Sequence, residues 1–149
     1  MESKHYFGIS KTHGRIEKNM ELRIQTSNHS EMIDITHLIQ SSIPKDIQDG
    51  LCTIYCPHTT AGITINENAD PDVRHDLLAK LNELIPWHES FYQHAEGNSA
   101  AHLKASLLGF SQTVPIKMGR LELGTWQGIY FCEFDGPRTR KVRLYFQSL

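Results

Sequence analysis

A chain of 149 residues, 39% hydrophobic and 21% charged, suits one globular domain able to bury a core without disulfides or a structural metal. A formal charge of -2, with no Lys/Arg cluster, leaves no electrostatic case for nucleic acid. No run approaches the roughly 18 apolar residues of a membrane span, and Met1-Glu-Ser-Lys-His5 lacks a signal peptide's apolar segment, so a cytoplasmic location is expected.

In chain order, residues 4–13 and 20–28 read as an opening strand pair. Met20, Leu22 and Ile24 alternate with polar neighbours, and Gly14 serves the turn. Residues 35–42 suit a short helix, with Asp34 or Thr36 as cap and Pro44 beyond its end. Residues 51–57 and 62–66 are apolar and β-branched and read as strands flanking His58-Thr59-Thr60. Cys52, Cys56 and Cys132 contain no C-x-x-C pair, so they read as buried free thiols in a reducing compartment.

The clearest helix spans 71–85, with Asp70 as N-cap, Pro71 at the first helical position and Pro86 as the stop. Val73, Leu77, Leu78, Leu81, Leu84 and Ile85 form its apolar stripe. A second helix starts at Asn98 as N-cap and stops at Gly109, with Ala101, Leu103, Ala105, Leu107 and Leu108 as its expected apolar face. Four further strands follow, at 111–116, 120–123, 125–134 and 139–146, separated by Gly- and Pro-containing turns. Leu144-Tyr-Phe-Gln-Ser148 looks like part of a protease-cleavable tag. Val142, Leu144 and Phe146 nevertheless continue a strand alternation, so the segment reads as native.

Strands at both ends with helices between them predict a single α+β domain, 1–149, on antiparallel sheet. No strand, Gly-rich loop and helix unit of the dinucleotide or P-loop kind is present.

Chemistry concentrates in a few places. His94-x3-Asn98-x3-His102 has the i, i+4 spacing of one helix face, and imidazole is the commonest protein metal ligand. If Asn98 begins the helix, however, the three converge from loop, cap and second turn. A plainer alternative is a hydrogen-bonded core His102, a surface His94 and an Asn98 that only caps. His58, Thr59 and Thr60 lie where one strand ends and the next begins, which suits either a cleft or a plain turn. Asn66 and Glu67 end a strand just before a helix N-terminus. Glu67 there can be a general base, a Mg²⁺ ligand or a solvated charge favouring the helix dipole. Gln127 can read a substrate amide or hydroxyl, with Trp126 stacking on a ring, or Trp126 can be a core residue with Gln127 solvated. Arg138, in a hairpin turn, suits phosphate because guanidinium binds it bidentately.

These segments resemble the YjbQ family, sometimes labelled secondary thiamine-phosphate synthase. The matching residues are His58-Thr-Thr-Ala, Ile65-Asn-Glu-Asn, Asp76, Pro86, Tyr92-x-His94, Asn98-x3-His102-Leu-Lys-Ala-Ser, Gly109, Pro115 and Gly119-x-Leu. They continue through Leu123-Gly-Thr-Trp-Gln127, Glu133 and Asp135-Gly-Pro-Arg-x-Arg140. The resemblance implies an α+β sandwich of antiparallel sheets with helices on one side. It also implies a homotrimer with a His, Asn and acidic site near the subunit boundary. One departure is Ala95, where many members carry an acidic residue; if that carboxylate orients the histidine or binds a metal in relatives, Glu96 substitutes here or the site is weaker.

Three functions follow as expectations. The resemblance implies thiamine-phosphate synthase activity, joining a pyrimidine pyrophosphate to a thiazole phosphate. Glu67 and Glu133 would then hold Mg²⁺, Arg138 would take phosphate, and His58, His94 or His102 would move protons. A metal-dependent hydrolase would place His58, His94 and His102 around Zn²⁺ with a position open for water. A non-catalytic trimeric module would bind a small phosphorylated ligand without turnover.

Overall fold

The computed structural model describes residues 4–12 and 14–149. His13, the last residue of the predicted first strand, and Met1, Glu2 and Ser3 of the amino-terminal segment lie outside the described residues. The chain runs β1 (His5–Thr12), β2 (Arg15–Gln25), β3 (Glu31–Asp34), α1 (Thr36–Gln40), β4 (Gly50–Tyr55) and β5 (Ala61–Glu67). It continues α2 (Pro71–Leu84), α3 (Ser99–Leu108), β6 (Ser111–Lys117), β7 (Arg120–Leu121), β8 (Gln127–Glu133) and β9 (Thr139–Ser148). Six strands form one sheet in the order β1-β2-β9-β4-β6-β7, and three form a second in the order β3-β8-β5. Every pairing is antiparallel.

Three layers result. The larger sheet turns Met20, Leu22, Ile24, Cys52, Ile54, Val142, Leu144 and Phe146 toward Ile63, Ile129 and Phe131 of the smaller one, with Ile39 of α1 and Ile47 added to the filling. The smaller sheet's other face, through Met32, Tyr130, Cys132 and Phe134, packs on Leu81 of α2 and on Ala101 and Ala105 of α3. Alternate residues of a strand face opposite sides, so β8 is buried on both faces. The fold is therefore α+β, with α2 and α3 on one side of paired antiparallel sheets. No helix among the described residues is long and apolar enough to cross a membrane.

The larger helices differ from expectation in what they bury. In α2, the Asp70 carboxylate caps the Asp72 N–H at 2.9 Å and Pro71 opens the helix, as the sequence predicts. Its stripe is only half used, because Leu81 is buried while Leu84 is 62% exposed. In α3 the inward face is Ala100, Ala101, Lys104 and Ala105, and Leu103 and Leu107 face outward. The small alanines let α3 lie close to β5, where Gly62 completes the fit. A Cβ on Gly62 would stand 2.7 Å from the Gly109 carbonyl oxygen, which accepts the Ile63 N–H at 3.0 Å.

The tag-like segment is the last part of β9, paired from Thr139 to Gln147 with β2 and on its other edge with β4. The four-residue strand β3 has no counterpart among the predicted elements.

Candidate functional site

At one end of the sandwich the apolar filling gives way to charge. Arg140 continues the inward row of Val142, Leu144 and Phe146, and Glu133 continues that of Ile129 and Phe131. Arg140 is 3% exposed and Glu133 is fully buried. Arg140 Nε donates to Glu133 Oε2 at 2.8 Å, and its Nη2 donates to Oε1. Thr26 Oγ1 donates to Oε2 at 3.0 Å, while the N–H groups of Phe134 and Asp135 donate to Oε1 at 3.1 and 3.0 Å. Buried charges persist only when paired and hydrogen-bonded, and this set meets both conditions. Burial pushes the Glu133 carboxyl up, but hydrogen bonds from Arg140, the Asp135 N–H and Thr26, with Arg140's charge, hold it below its ordinary value.

Arg140 Nη2 also donates to Thr60 Oγ1 at 2.8 Å, which ties the pair to the segment after β4. An open cleft of about 470 Å³ stands over it, lined by His58, Thr59, Thr60, His94, Glu96, Asn98, His102 and Arg138 among others. The residues come from the 57–60 segment, the loop before α3, the second turn of α3 and the turn between β8 and β9. His58 Nε2 accepts the Lys141 N–H at 2.9 Å. Burial and the nearby Arg140 charge lower the His58 pKa, so the ring is neutral with its proton on Nδ1. The rings of His94 and His102 meet edge to face, with centroids 5.3 Å apart.

Asn98 sits at the N-cap position of α3, yet its side chain makes no capping bond. Its Nδ2 donates instead to Asp135 Oδ2 at 2.9 Å. Its Oδ1 is buried and has no partner among the described residues. A side-chain cap contributes about 1 kcal/mol, so this asparagine forgoes helix stabilisation to hold a position facing Asp135. Asp135 holds Arg138 as well: Arg138 Nη2 reaches Asp135 Oδ2 at 3.0 Å and Nε reaches the Asp135 carbonyl at 2.8 Å. Asp135 thus clamps two cleft residues. In the sequence Asp135 reads as a turn residue, and its signals are an acid beside Gly136-Pro137 between two strands and a place in the family-like Asp-Gly-Pro-Arg motif. Gly136 is required there because a Cβ would collide with the Asn28 carbonyl, Glu133 Cγ and Thr26 Oγ1.

The structure brings His58, Thr59, Thr60, His94, Asn98, His102 and Arg138 to one cleft. It separates the others. The register pairs Ala61 with Glu133 but Glu67 with Gln127, six residues further along β5. At about 3.3 Å per residue, Asn66, Glu67 and Gln127 stand about 20 Å away, at the opposite end of the sheet. Asn66 Oδ1 accepts the Glu67 N–H at 2.7 Å and Gln127 Oε1 accepts the Gly124 N–H at 2.8 Å, local bonds that shape loops.

Both expected metal sets fail on geometry. Glu67 and Glu133 cannot share Mg²⁺ across that distance, and the Glu133 oxygens are committed to Arg140, Thr26 and backbone. His58 cannot join His94 and His102 around Zn²⁺, because one ring nitrogen accepts the Lys141 N–H and the other keeps the proton. Among the described residues no group of three His, Cys, Asp or Glu side chains is disposed to hold a metal ion. The three cysteines are free and buried, with Cys56 pushed up to about 11 and Cys52 and Cys132 to about 12 by burial, so none is a thiolate at neutral pH.

Comparison with known proteins finds this architecture elsewhere. A YjbQ/UPF0047-family protein from Clostridium acetobutylicum, solved by crystallography, superposes with a TM-score of 0.80 at 55% identity, over 83% of this chain and 96% of that one. A YbjQ-like protein of unknown function from Sulfolobus solfataricus gives 0.85 at 31% identity, over 91% and 99%. The UPF0047 protein YugU of Bacillus subtilis is 58% identical over 120 residues, which are 80% of this chain and 91% of that protein. A UPF0047 protein of Methanocaldococcus jannaschii is 54% identical over 127 residues, 85% and 91% respectively. The family model described as UPF0047 protein YjbQ-like matches residues 20–148, which include every strand and helix of both sheets except β1 and the first part of β2. The chain belongs to the UPF0047 YjbQ-like family.

Proposed function

We propose that the cleft binds a small phosphorylated molecule and catalyses transfer with pyrophosphate as leaving group, as in thiamine-phosphate synthesis. The observation that carries this reading is the meeting of His94, His102, Asn98 and Arg138 in one cleft. In that reaction a ring nitrogen of the thiazole phosphate forms a bond to the pyrimidine's methylene carbon. The carbon–oxygen bond to pyrophosphate breaks, and pyrophosphate leaves with the electron pair. The step requires cationic groups at the leaving oxygens and a proton donor for them. Arg138, 49% exposed at its side chain and already oriented by Asp135, supplies the charge and donors from Nη1. His94 or His102 supplies the proton, and the His58 Nδ1–H is a further donor. The buried Asn98 Oδ1 matches a ligand N–H, such as an amino group on a pyrimidine.

The test is turnover with purified protein, both substrates and Mg²⁺ as the pyrophosphate counter-ion. Thiamine phosphate should form, and His94→Ala/His102→Ala should lower the rate at least about 100-fold. Product no faster than in that double variant would sink the enzyme reading. A rise in melting temperature with pyrophosphate that is lost in Arg138→Ala, without turnover, would leave a binding module instead. We also propose that the protein is a cytoplasmic homotrimer. Buried free thiols suit a reducing compartment. Phe91 and Leu103, 69% and 47% exposed, line an open groove that shares His94 and His102 with the cleft, and Leu107, 63% exposed, follows one turn further along α3; a second copy would cover this apolar area.

A further inference from the structure

Lys104 is the unexpected residue of α3. It takes an inward position among alanines and is 3% exposed, while leucines on the same helix face outward. Its Nζ donates to Asn82 Oδ1 at 2.6 Å, and among the described residues no carboxylate lies within ion-pair distance of it. An ammonium has three donors, and here one neutral acceptor satisfies one of them. Burial of a cation without a counter-charge is costly, and an anion drawn in beside it would offset that cost.

Lys104 borders a cavity of about 460 Å³, separate from the histidine cleft, whose other walls are Asn28, His29, Ser30, Asn82 and Trp87. None of these walls is acidic. They offer the Lys104 ammonium, an imidazole, an indole N–H and a hydroxyl, so the cavity is rich in donors. His29 and Trp87 meet edge to face with centroids 4.4 Å apart, which fixes both rings at the rim. On its far side, His29 Nε2 lies 3.8 Å from Asp135 Oδ1, the carboxylate that clamps Asn98 and Arg138.

We propose that this cavity is a second binding site, for a small oxyanion such as a phosphate or carboxylate, with the Lys104 ammonium as its cationic anchor. The oxyanion accepts from the two unused ammonium donors while the aromatic rim limits the occupant to a small group. Desolvation, which alone lowers the Lys104 pKa, is offset when the anion enters. The site does not depend on the transfer reaction assigned to the histidine cleft.

The two tryptophans make the test direct, because Trp87 lines the cavity and Trp126 lies in the loop before β8. Inorganic phosphate or acetate titrated into the full chain should shift the Trp87 indole N–H resonance saturably and leave that of Trp126 in place. Lys104→Met should weaken this response at least about tenfold, and His94→Ala/His102→Ala, which leaves Asp135 and its contacts in place, should not change it. An unmoved Trp87 resonance at saturating concentrations of both anions would overturn the proposal. So would an undiminished response in Lys104→Met, or its loss in His94→Ala/His102→Ala, which would assign the signal to the histidine cleft. If Lys104→Met does not fold, the wild-type titration with His94→Ala/His102→Ala decides.

Discussion

At the residue scale, the cleft rests on one ion pair. Removing Arg140 leaves Glu133 buried and uncompensated, and breaking a buried pair typically costs about 3–5 kcal/mol. Arg140→Met should therefore destabilise the protein by about that amount at pH 7 in urea denaturation. The pH dependence has a definite sign. In the wild type the folded Glu133 pKa is depressed, so its contribution is present above the ordinary carboxylate value and is lost as pH falls through the lower folded value. In Arg140→Met the folded pKa rises instead, and the penalty is greatest at neutral pH. The gap between the two proteins should thus narrow as pH falls toward about 4. A constant gap would show that Glu133 is not the titrating partner. In the sequence Glu133 reads as a Mg²⁺ ligand because the synthase chemistry calls for a divalent cation at the pyrophosphate. Its partner Arg140 lies seven residues on, across a hairpin turn, and the inward alternation of β9 was the one hint that the arginine faced the core.

At the element scale, the placement of α3 depends on β5. Gly62→Ala puts a methyl group against the Gly109 carbonyl, a backbone atom with little room to move. The substitution should cost about 2 kcal/mol in urea denaturation and should slow any His102-dependent turnover, because α3 must shift. Unchanged stability would mean that α3 already yields at that contact. Helices were legible where local chemistry marks their ends. Asp70, Pro71 and Pro86 bracket α2 without reference to the rest of the chain. Their buried faces were not legible, since which side of α3 turns inward depends on β5 and β8, which lie against it. Leu103 and Leu107 therefore read as core although they face outward. Strand β3, four residues with two charges, is too short to show an alternation, and it is recognised only through its pairing with β8.

At the scale of the whole molecule, apolar area collects on the helical side beside the cleft. A trimer that covers it would place a subunit boundary at the site. Light scattering should give three times the 17.0 kDa chain mass, and Leu103→Glu/Leu107→Glu should yield a folded protein of lower mass. A monomeric wild type at micromolar concentration would end the trimer reading. Such a surface is not legible in composition, because single exposed leucines are common on soluble surfaces and only the meeting of Leu103 with Phe91 along one groove is informative. The separation of Glu67 from the histidines was equally hidden, because a sequence does not state which end of a strand meets which. That information lies in the β5–β8 register.

The position of β9 governs how the chain can assemble on a ribosome. Among the described strands this one is made last, yet it lies between β2 and β4 and joins the β1-β2 hairpin to β4, β6 and β7. Until it emerges, two fragments of the larger sheet wait with open edges and exposed apolar faces. Sheet closure is thus a late event with large sequence separation, of the kind that folds slowly and is exposed to aggregation in the interval. The charged residues along β2, Glu17, Glu21 and Arg23, are of the kind that disfavours pairing of an open edge with other chains.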